Sequence, residues 1–129
     1  WNTVIQVNLH SVFLLIKACL SLLRHSPNAS IIFTSSSVIR KARAYWGAYA
    51  VSKFATEGMM QLLADELENT STIRVNSLNP KATNTPMRRA AYPGENPAEN
   101  PSPEEIMSAY LYLMGEKSTG ITGRSFDAR

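Results

Sequence analysis

The chain has a single cysteine, Cys19, inside an apolar stretch. No intramolecular disulfide can staple it, and a lone thiol among aliphatic residues reads as a small core side chain kept reduced, which gives the expectation of a cytoplasmic protein. Histidine is as scarce. His10 and His25 stand without a cysteine, an aspartate or a second histidine at ligand spacing, so no metal centre is expected. Long apolar runs are missing too: LHSVFLLIKACLSLL, residues 9–23, is broken by Lys17 and falls short of the roughly 20 residues that a bilayer crossing needs, so it reads as a buried helix with no membrane partner. Neither sign of charge dominates, with 13 Lys and Arg against 10 Asp and Glu. The one tight basic cluster, Arg40, Lys41 and Arg43, reads as a solvated loop, and no nucleic-acid partner is expected. Repeats and low-complexity segments are absent. There is no GxSxG elbow, and neither histidine is placed to activate a serine, which excludes Ser-His-Asp hydrolysis.

What is present falls into alternating elements. The chain opens on Trp1 and enters a helical pattern at once, without a charged leader or a small-residue cleavage site, so it reads as a piece of a longer protein with one domain over residues 1–129. From Asn2 to Arg24 the residues Ile5, Leu9, Val12, Ile16 and Leu23 form one stripe, with Phe13, Leu15 and Leu20 beside it, which predicts a helix covered on more than one face. Ser26-Pro27-Asn28 ends it. Ala29 to Ser35, ASIIFTS, is a short β-branched and aromatic run that suits a strand buried on both faces. Ser36 to Gly47 is polar and basic, a loop. Helical periodicity returns from Ala48 to Asn69, where Ala48, Ser52, Ala55 and Gly58 leave one side thin enough for another helix or a ligand to approach. Thr72 to Asn79, TIRVNSLN, predicts a second strand, closed by Pro80. Residues 81–103 carry Pro86, Pro93, Pro97 and Pro101, and a stretch of that length reads as a substrate lid. Ser102-Pro103-Glu104-Glu105 then starts a last helix with a capping residue, a proline at the first helical position and first-turn acids. It runs to Met114-Gly115, and a short strand follows from Arg124 to Asp127. The alternation predicts an α/β fold with a doubly wound, Rossmann-like parallel sheet.

Ligands of such sheets bind outside the carboxyl ends of the strands. One predicted strand ends in Thr34, Ser35, Ser36 and Ser37, and the next in Asn79, Pro80 and the lid. YAVSK, Tyr49 to Lys53, starts its helix on the same edge and sets a phenol and an ammonium at i and i+4, one above the other. Two readings of the pair are open. Lys53 snorkels past a tyrosine anchored on core surface, or its charge lowers the phenol from its ordinary value of about 10 and makes Tyr49 a usable acid or base. Hydroxyls at one strand end, the tunable phenol and a closing loop together suit proton transfer at an oxygen atom.

These residues, taken in order, resemble a family. Val7-Asn8 in a long apolar helix, FTSSSV, WGAYAVSKFATEGMMQLLADE and RVNSLNP are similar to the catalytic C-terminal half of the short-chain dehydrogenases/reductases, and the likeness covers nearly the whole chain. The resemblance implies an oxidoreductase that interconverts an alcohol and a carbonyl with NAD(P)(H), NADP being slightly favoured. It implies Tyr49 as general acid/base, and Lys53 as the residue that lowers its pKa and binds the nicotinamide ribose. Ser36, thirteen positions before Tyr49, matches the family's serine, with Ser37 as competitor, and Asn8 matches the asparagine that holds a water in the proton relay. Pro80, Lys81 and Thr85 fall where the family's chain passes the nicotinamide. A homodimer or homotetramer is implied by the matching helices.

Two departures accompany the likeness. The family's glycine-rich turn, TGxxxGxG, which meets the pyrophosphate at a helix N-terminus, is absent from this sequence. Lys81 also stands where the family usually has glycine, which puts the backbone path there in question. A truncated, catalytically silent assembly partner is therefore the competing expectation.

Overall fold

The apolar periodicity at the start of the chain folds as one helix, α1, over Asn2–Arg24. Its second turn is wider than the rest: Gln6–His10 is π-helical, between α-helical Asn2–Ile5 and Ser11–Arg24. A π-turn inserts an extra residue into the helical ladder and turns the side chains around it, often at functional sites. Val12, Ile16, Leu20 and Leu23 pack on the core, as the stripe predicts. The expectation of cover on more than one face is corrected, because Val7, Phe13, Leu14, Leu15 and Leu22 are exposed. No element of this chain lies against that side. The helix is also longer than the interrupted run implied. At 23 residues, with a mean hydropathy of 1.6 over its most apolar window, it is long and apolar enough to cross a membrane by length and composition, since one lysine barely lowers such an average.

The structure, a computed structural model, describes residues 1–129. After α1 come β1 (Ser30–Thr34), α2 (Gly47–Glu68), β2 (Arg74–Asn79), α3 (Pro86–Ala91), α4 (Met107–Met114) and β3 (Ser125–Asp127). The strands form a parallel sheet in the order β1-β2-β3. Central β2 is buried at every residue. β1 has a neighbour on one side only, so of its residues Phe33 alone is buried, which corrects the prediction of full burial on both faces.

The period-2 alternation of the strands sorts their side chains. Phe33 and Val75 face α2, where Met60, Ala64 and Leu67 meet them with Ala29 and Ile73. Toward the other side, Ile106 and Leu113 of the last helical segment are buried. That segment begins as a tight turn over Glu104–Ile106, and the backbone N–H of Ser102 donates to the Glu105 carboxylate at 2.7 Å, half of a capping box. Residues 81–103 hold structure of their own. Thr85 Oγ1 caps α3 by accepting from the Arg88 N–H at 3.1 Å, with Pro86 at the first helical position, and a short turn forms over Pro97–Glu99.

Candidate active site

Tyr49 and Lys53 start a single stripe of α2 that continues through Glu57, Met60, Ala64 and Leu67. The apolar end of the stripe anchors the helix on the sheet, and the polar end emerges at the carboxyl edge of β1 and β2. Tyr49 is half-buried. The Lys53 ammonium lies 5.8 Å from the centre of its ring and donates to the Thr34 carbonyl at 2.7 Å. Burial holds the Lys53 pKa below its ordinary value. A fixed, partly desolvated cation thus stands over one side of the phenol.

Asn8 reaches this edge from the π-turn of α1, and its Nδ2 donates to Ser52 Oγ at 3.0 Å. Ser52 is fully buried and donates in turn to the Tyr49 carbonyl at 2.8 Å. The small residue that thins α2 therefore lets α1 approach, and Asn8 is tied to the helix next to Lys53. Of the three serines that end β1, each has a separate fate. Ser35 turns inward, Ser36 is half-buried at the rim with its Oγ accepting from the Val38 N–H at 3.4 Å, and Ser37 is exposed. Ser36 is bonded within its own turn and not to Tyr49.

At the end of β2, Lys81 adopts the left-handed conformation, with φ of 59°. That is the region glycine enters freely and other residues rarely do. The turn is held by the Asn79 side chain, whose Oδ1 accepts from the Lys81 N–H at 3.0 Å, while Lys81 Nζ lies 3.3 Å from Asp127. Arg40 grips the same carboxylate with two bonds of 3.0 and 3.2 Å, and Asn79 adds a third at 3.0 Å. Burial pushes the Asp127 pKa up, but the bonds from Arg40, Asn79 and Lys81 outweigh it and hold the carboxyl below its usual range. Pro80 is half-buried between this turn and the strand, and Thr85 caps α3.

An aromatic chain links the phenol to residues 81–103. Trp46 packs edge-on against Tyr49, with ring centres 5.5 Å apart, and lies 6.2 Å from Tyr92. Arg88 stacks 3.7 Å above Tyr92 and clamps Glu95 with bonds of 2.7 and 2.6 Å. Arg89 donates to Asn84. Tyr92 and Glu57 were not singled out in the sequence. The signal for Glu57 was its place four residues after Lys53; for Tyr92 there was only an aromatic residue in a proline-rich stretch. Two polar clefts of about 340 and 260 Å³ lie at the other edge of the sheet, lined by residues such as Asn28, Glu68, Arg74 and Thr122, and neither holds any of these groups.

The sequence and the fold of this chain are similar to those of known proteins. The profile of the short chain dehydrogenase family matches residues 1–96. The uncharacterized oxidoreductase YciK of Escherichia coli K12 is 53% identical over the whole chain, which corresponds to 50% of its own length. Among solved structures, a short chain dehydrogenase from Salmonella enterica serovar Typhi superposes with a TM-score of 0.97 at 53% identity, over all of this chain and 53% of the other. A structure from Escherichia coli CFT073 complexed with NADPH superposes with a TM-score of 0.96 at 53% identity, again over all of this chain and 53% of the other. The chain spans about half the length of the curated relatives it matches.

Proposed function

The chain belongs to the short chain dehydrogenase family, and from that premise we propose that it is the catalytic half of an NAD(P)-dependent oxidoreductase that interconverts an alcohol and a carbonyl, with Tyr49 as the general acid/base. The observation that carries this reading is the pairing on α2 of a phenol with a fixed, partly desolvated ammonium, Lys53, at the carboxyl edge of the sheet. In the reducing direction Tyr49 gives its proton to the carbonyl oxygen, and in the oxidising direction it takes the proton from the alcohol. Lys53 holds its ammonium beside the phenol through its bond to the Thr34 carbonyl. Ser36, at the rim of the same edge, offers a hydroxyl to the substrate oxygen, and Asn8 serves a water-borne proton path from beside Ser52.

The residues at this edge suit the nicotinamide end of the cofactor. Lys53 is a donor for ribose hydroxyls, while Pro80 and the left-handed Lys81 give the chain a glycine-like turn in spite of the lysine. Thr85 stands at the start of α3 for the amide, and Tyr49 lies beside them. When bound, the nicotinamide supplies the hydride and the protein supplies position and charge. NADP(H) is the favoured form, in line with the NADPH held by the Escherichia coli CFT073 relative. Residues 81–103 act as the substrate lid, joined to Tyr49 through Trp46 and Tyr92. We place the protein in the cytoplasm as a homodimer or homotetramer, with neither a nucleic-acid nor a membrane partner.

A second reading has one observation in its favour. Val7, Phe13, Leu14 and Leu15 of α1 and Val51, Phe54 and Leu62 of α2 are exposed apolar residues, which suits a silent assembly partner as well as an enzyme dimer. Turnover separates the two. The full-length protein is assayed for carbonyl-dependent NADPH oxidation beside Tyr49→Phe, which should lose roughly 10²-fold or more in kcat while keeping its fold. A folded Tyr49→Phe protein as active as wild type would refute the assignment, and NADPH binding without turnover by either protein would favour the silent reading.

A further inference from the structure

Glu57 is a buried carboxylate whose partners are all hydroxyls. Its side chain lies on α2 one turn beyond Lys53, and it accepts from Ser35 at 2.8 Å, from Ser77 at 2.9 Å and from Ser125. Those serines belong to all three strands, Ser35 directly beyond β1, Ser77 inside β2 and Ser125 opening β3. No ion pair of the chain involves Glu57. A buried carboxylate satisfied by three hydroxyl donors links one helix to three strands with short, directional bonds, and their geometry is lost if any strand slides.

The link is closest where it concerns the site. Consecutive residues of the β1 end meet consecutive turns of α2: the Thr34 carbonyl accepts from Lys53, and the Ser35 hydroxyl donates to Glu57. The Ser35 N–H is held by the Leu78 carbonyl of β2 at 2.8 Å. Ser36 follows directly. Its place, and the place of the Lys53 ammonium beside Tyr49, are thus set by a two-point staple whose second point is the Glu57 carboxylate.

We propose that Glu57 and Ser35 are positioning residues for the oxidoreductase reaction, fixing the Thr34–Ser36 corner to α2 so that the Ser36 hydroxyl, the Lys53 ammonium and the Tyr49 phenol keep their spacing. This inference rests on the reading of the site given above. It differs from a purely structural role, because a loosened corner leaves the sheet folded but lets Lys53 swing into water.

The test uses the full-length protein with Ser35→Ala, Glu57→Gln and Glu57→Asp. Ser35→Ala and Glu57→Gln should each lower kcat by about tenfold or more, with the carbonyl KM held within about twofold, since small misplacements act on the chemical step. Glu57→Asp, which keeps the carboxylate, should recover part of the loss. A second readout needs no turnover. With ¹³C-labelled lysine, the Lys53 titration should move up toward its ordinary value in Ser35→Ala, because the depressing burial is relieved. Removing the Glu57 charge without movement would shift it the other way in Glu57→Gln, and a structural role would leave it unmoved in Ser35→Ala. Wild-type kcat in folded Ser35→Ala and Glu57→Gln, or a loss of Tm with kcat and the Lys53 titration unchanged, would overturn the proposal. If Glu57→Gln does not fold, Ser35→Ala decides alone. If the wild-type protein binds NADPH but turns over no carbonyl, the oxidoreductase reading fails by itself, and the Lys53 titration in Ser35→Ala still decides whether the corner is held by Glu57.

Discussion

Asn8 donates through Nδ2 to the Oγ of Ser52 at 3.0 Å, and this bond ties the π-turn of α1 to the helix that carries Tyr49. Ser52 has no exposed surface and its own proton is committed to the Tyr49 carbonyl. Ser52→Ala should therefore strand the Asn8 amide in a half-buried place and cost about 1 kcal/mol, the usual loss for one neutral hydrogen bond. Chemical denaturation of the full-length protein measures it. A midpoint unchanged from wild type would mean that Asn8 finds water instead, and the two helices are not held by this pair.

Lys81 tests whether the turn after β2 depends on its side chain or its backbone. Its left-handed φ strains a non-glycine residue, while the Asn79 side chain and the contact with Asp127 offset that strain. Lys81→Gly should stay within about 1 kcal/mol of wild type, because relief of strain balances the lost ion pair and the freer unfolded chain. Lys81→Val, β-branched in the same turn, should be destabilised by roughly 2 kcal/mol. Equal stability of the two variants would contradict a backbone-determined turn.

Arg74 is buried yet faces no carboxylate. It donates to the carbonyls of Gly115 at 2.7 Å and Met114 at 3.3 Å, to Asn28 Oδ1 at 2.5 Å and to Ser118 Oγ. It joins the start of β2 to the end of α4, where the last helical carbonyls favour a cation. Arg74→Met keeps the apolar stem but takes the guanidinium from Asn28 and the Met114 carbonyl, while the Gly115 carbonyl keeps its bonds from Ser118, and should cost about 3 kcal/mol with kcat nearly unaffected, since the site lies at the other edge. Comparable stability of the variant would show that water replaces the guanidinium.

Acid and base act on the fold in opposite senses through Asp127 and Lys53. The Asp127 pKa is lowered in the folded state, so its pairing contributes stability that is present above the ordinary carboxylate value and is lost as pH falls through the folded one. Asp127→Asn should flatten the acid limb of a Tm-against-pH curve. The Lys53 pKa is also lowered, so the folded chain binds fewer protons than the unfolded one just below the ordinary lysine value, and stability rises with pH there. Lys53→Met should remove that rise and weaken NADPH binding. An unchanged alkaline limb would contradict the burial of the ammonium.

The parts that were legible in the sequence are those written in local spacing. YAVSK put Tyr49 and Lys53 on one helix face because i and i+4 always share a face, and the strand runs ended where the polar residues began. Other features depend on elements distant in the chain. Glu57 drew no reading from the sequence, because it is the register of β1, β2 and β3 that brings Ser35, Ser77 and Ser125 to it. Lys81 read as a departure from glycine, yet the turn it occupies is glycine-like because the Asn79 side chain holds it. The exposed side of α1 was misread as covered, since periodicity gives the width of an apolar surface but not whether a partner meets it.

That uncovered surface gives the last prediction, about the 129-residue chain made alone. β1 offers an unpaired edge, and Phe13, Leu14, Leu15 and Leu22 of α1 are exposed although they are apolar. Both are features that associate with another surface or lower the stability of a separate piece. The residues suited to the cofactor reach only its nicotinamide end, and the backbone turn that would hold a pyrophosphate is not among them, so most of the charge-assisted binding would be missing. The isolated chain should bind NAD(H) and NADP(H) no better than millimolar and show no turnover, whereas the full-length protein should bind one of them at micromolar concentration and sediment as a dimer or tetramer. Titration calorimetry and sedimentation on both proteins check this. Micromolar binding by the isolated chain would mean that the cofactor is held by residues other than Lys53, Lys81 and Thr85, and a full-length monomer at micromolar concentration would mean that the apolar side of α1 is covered within its own chain.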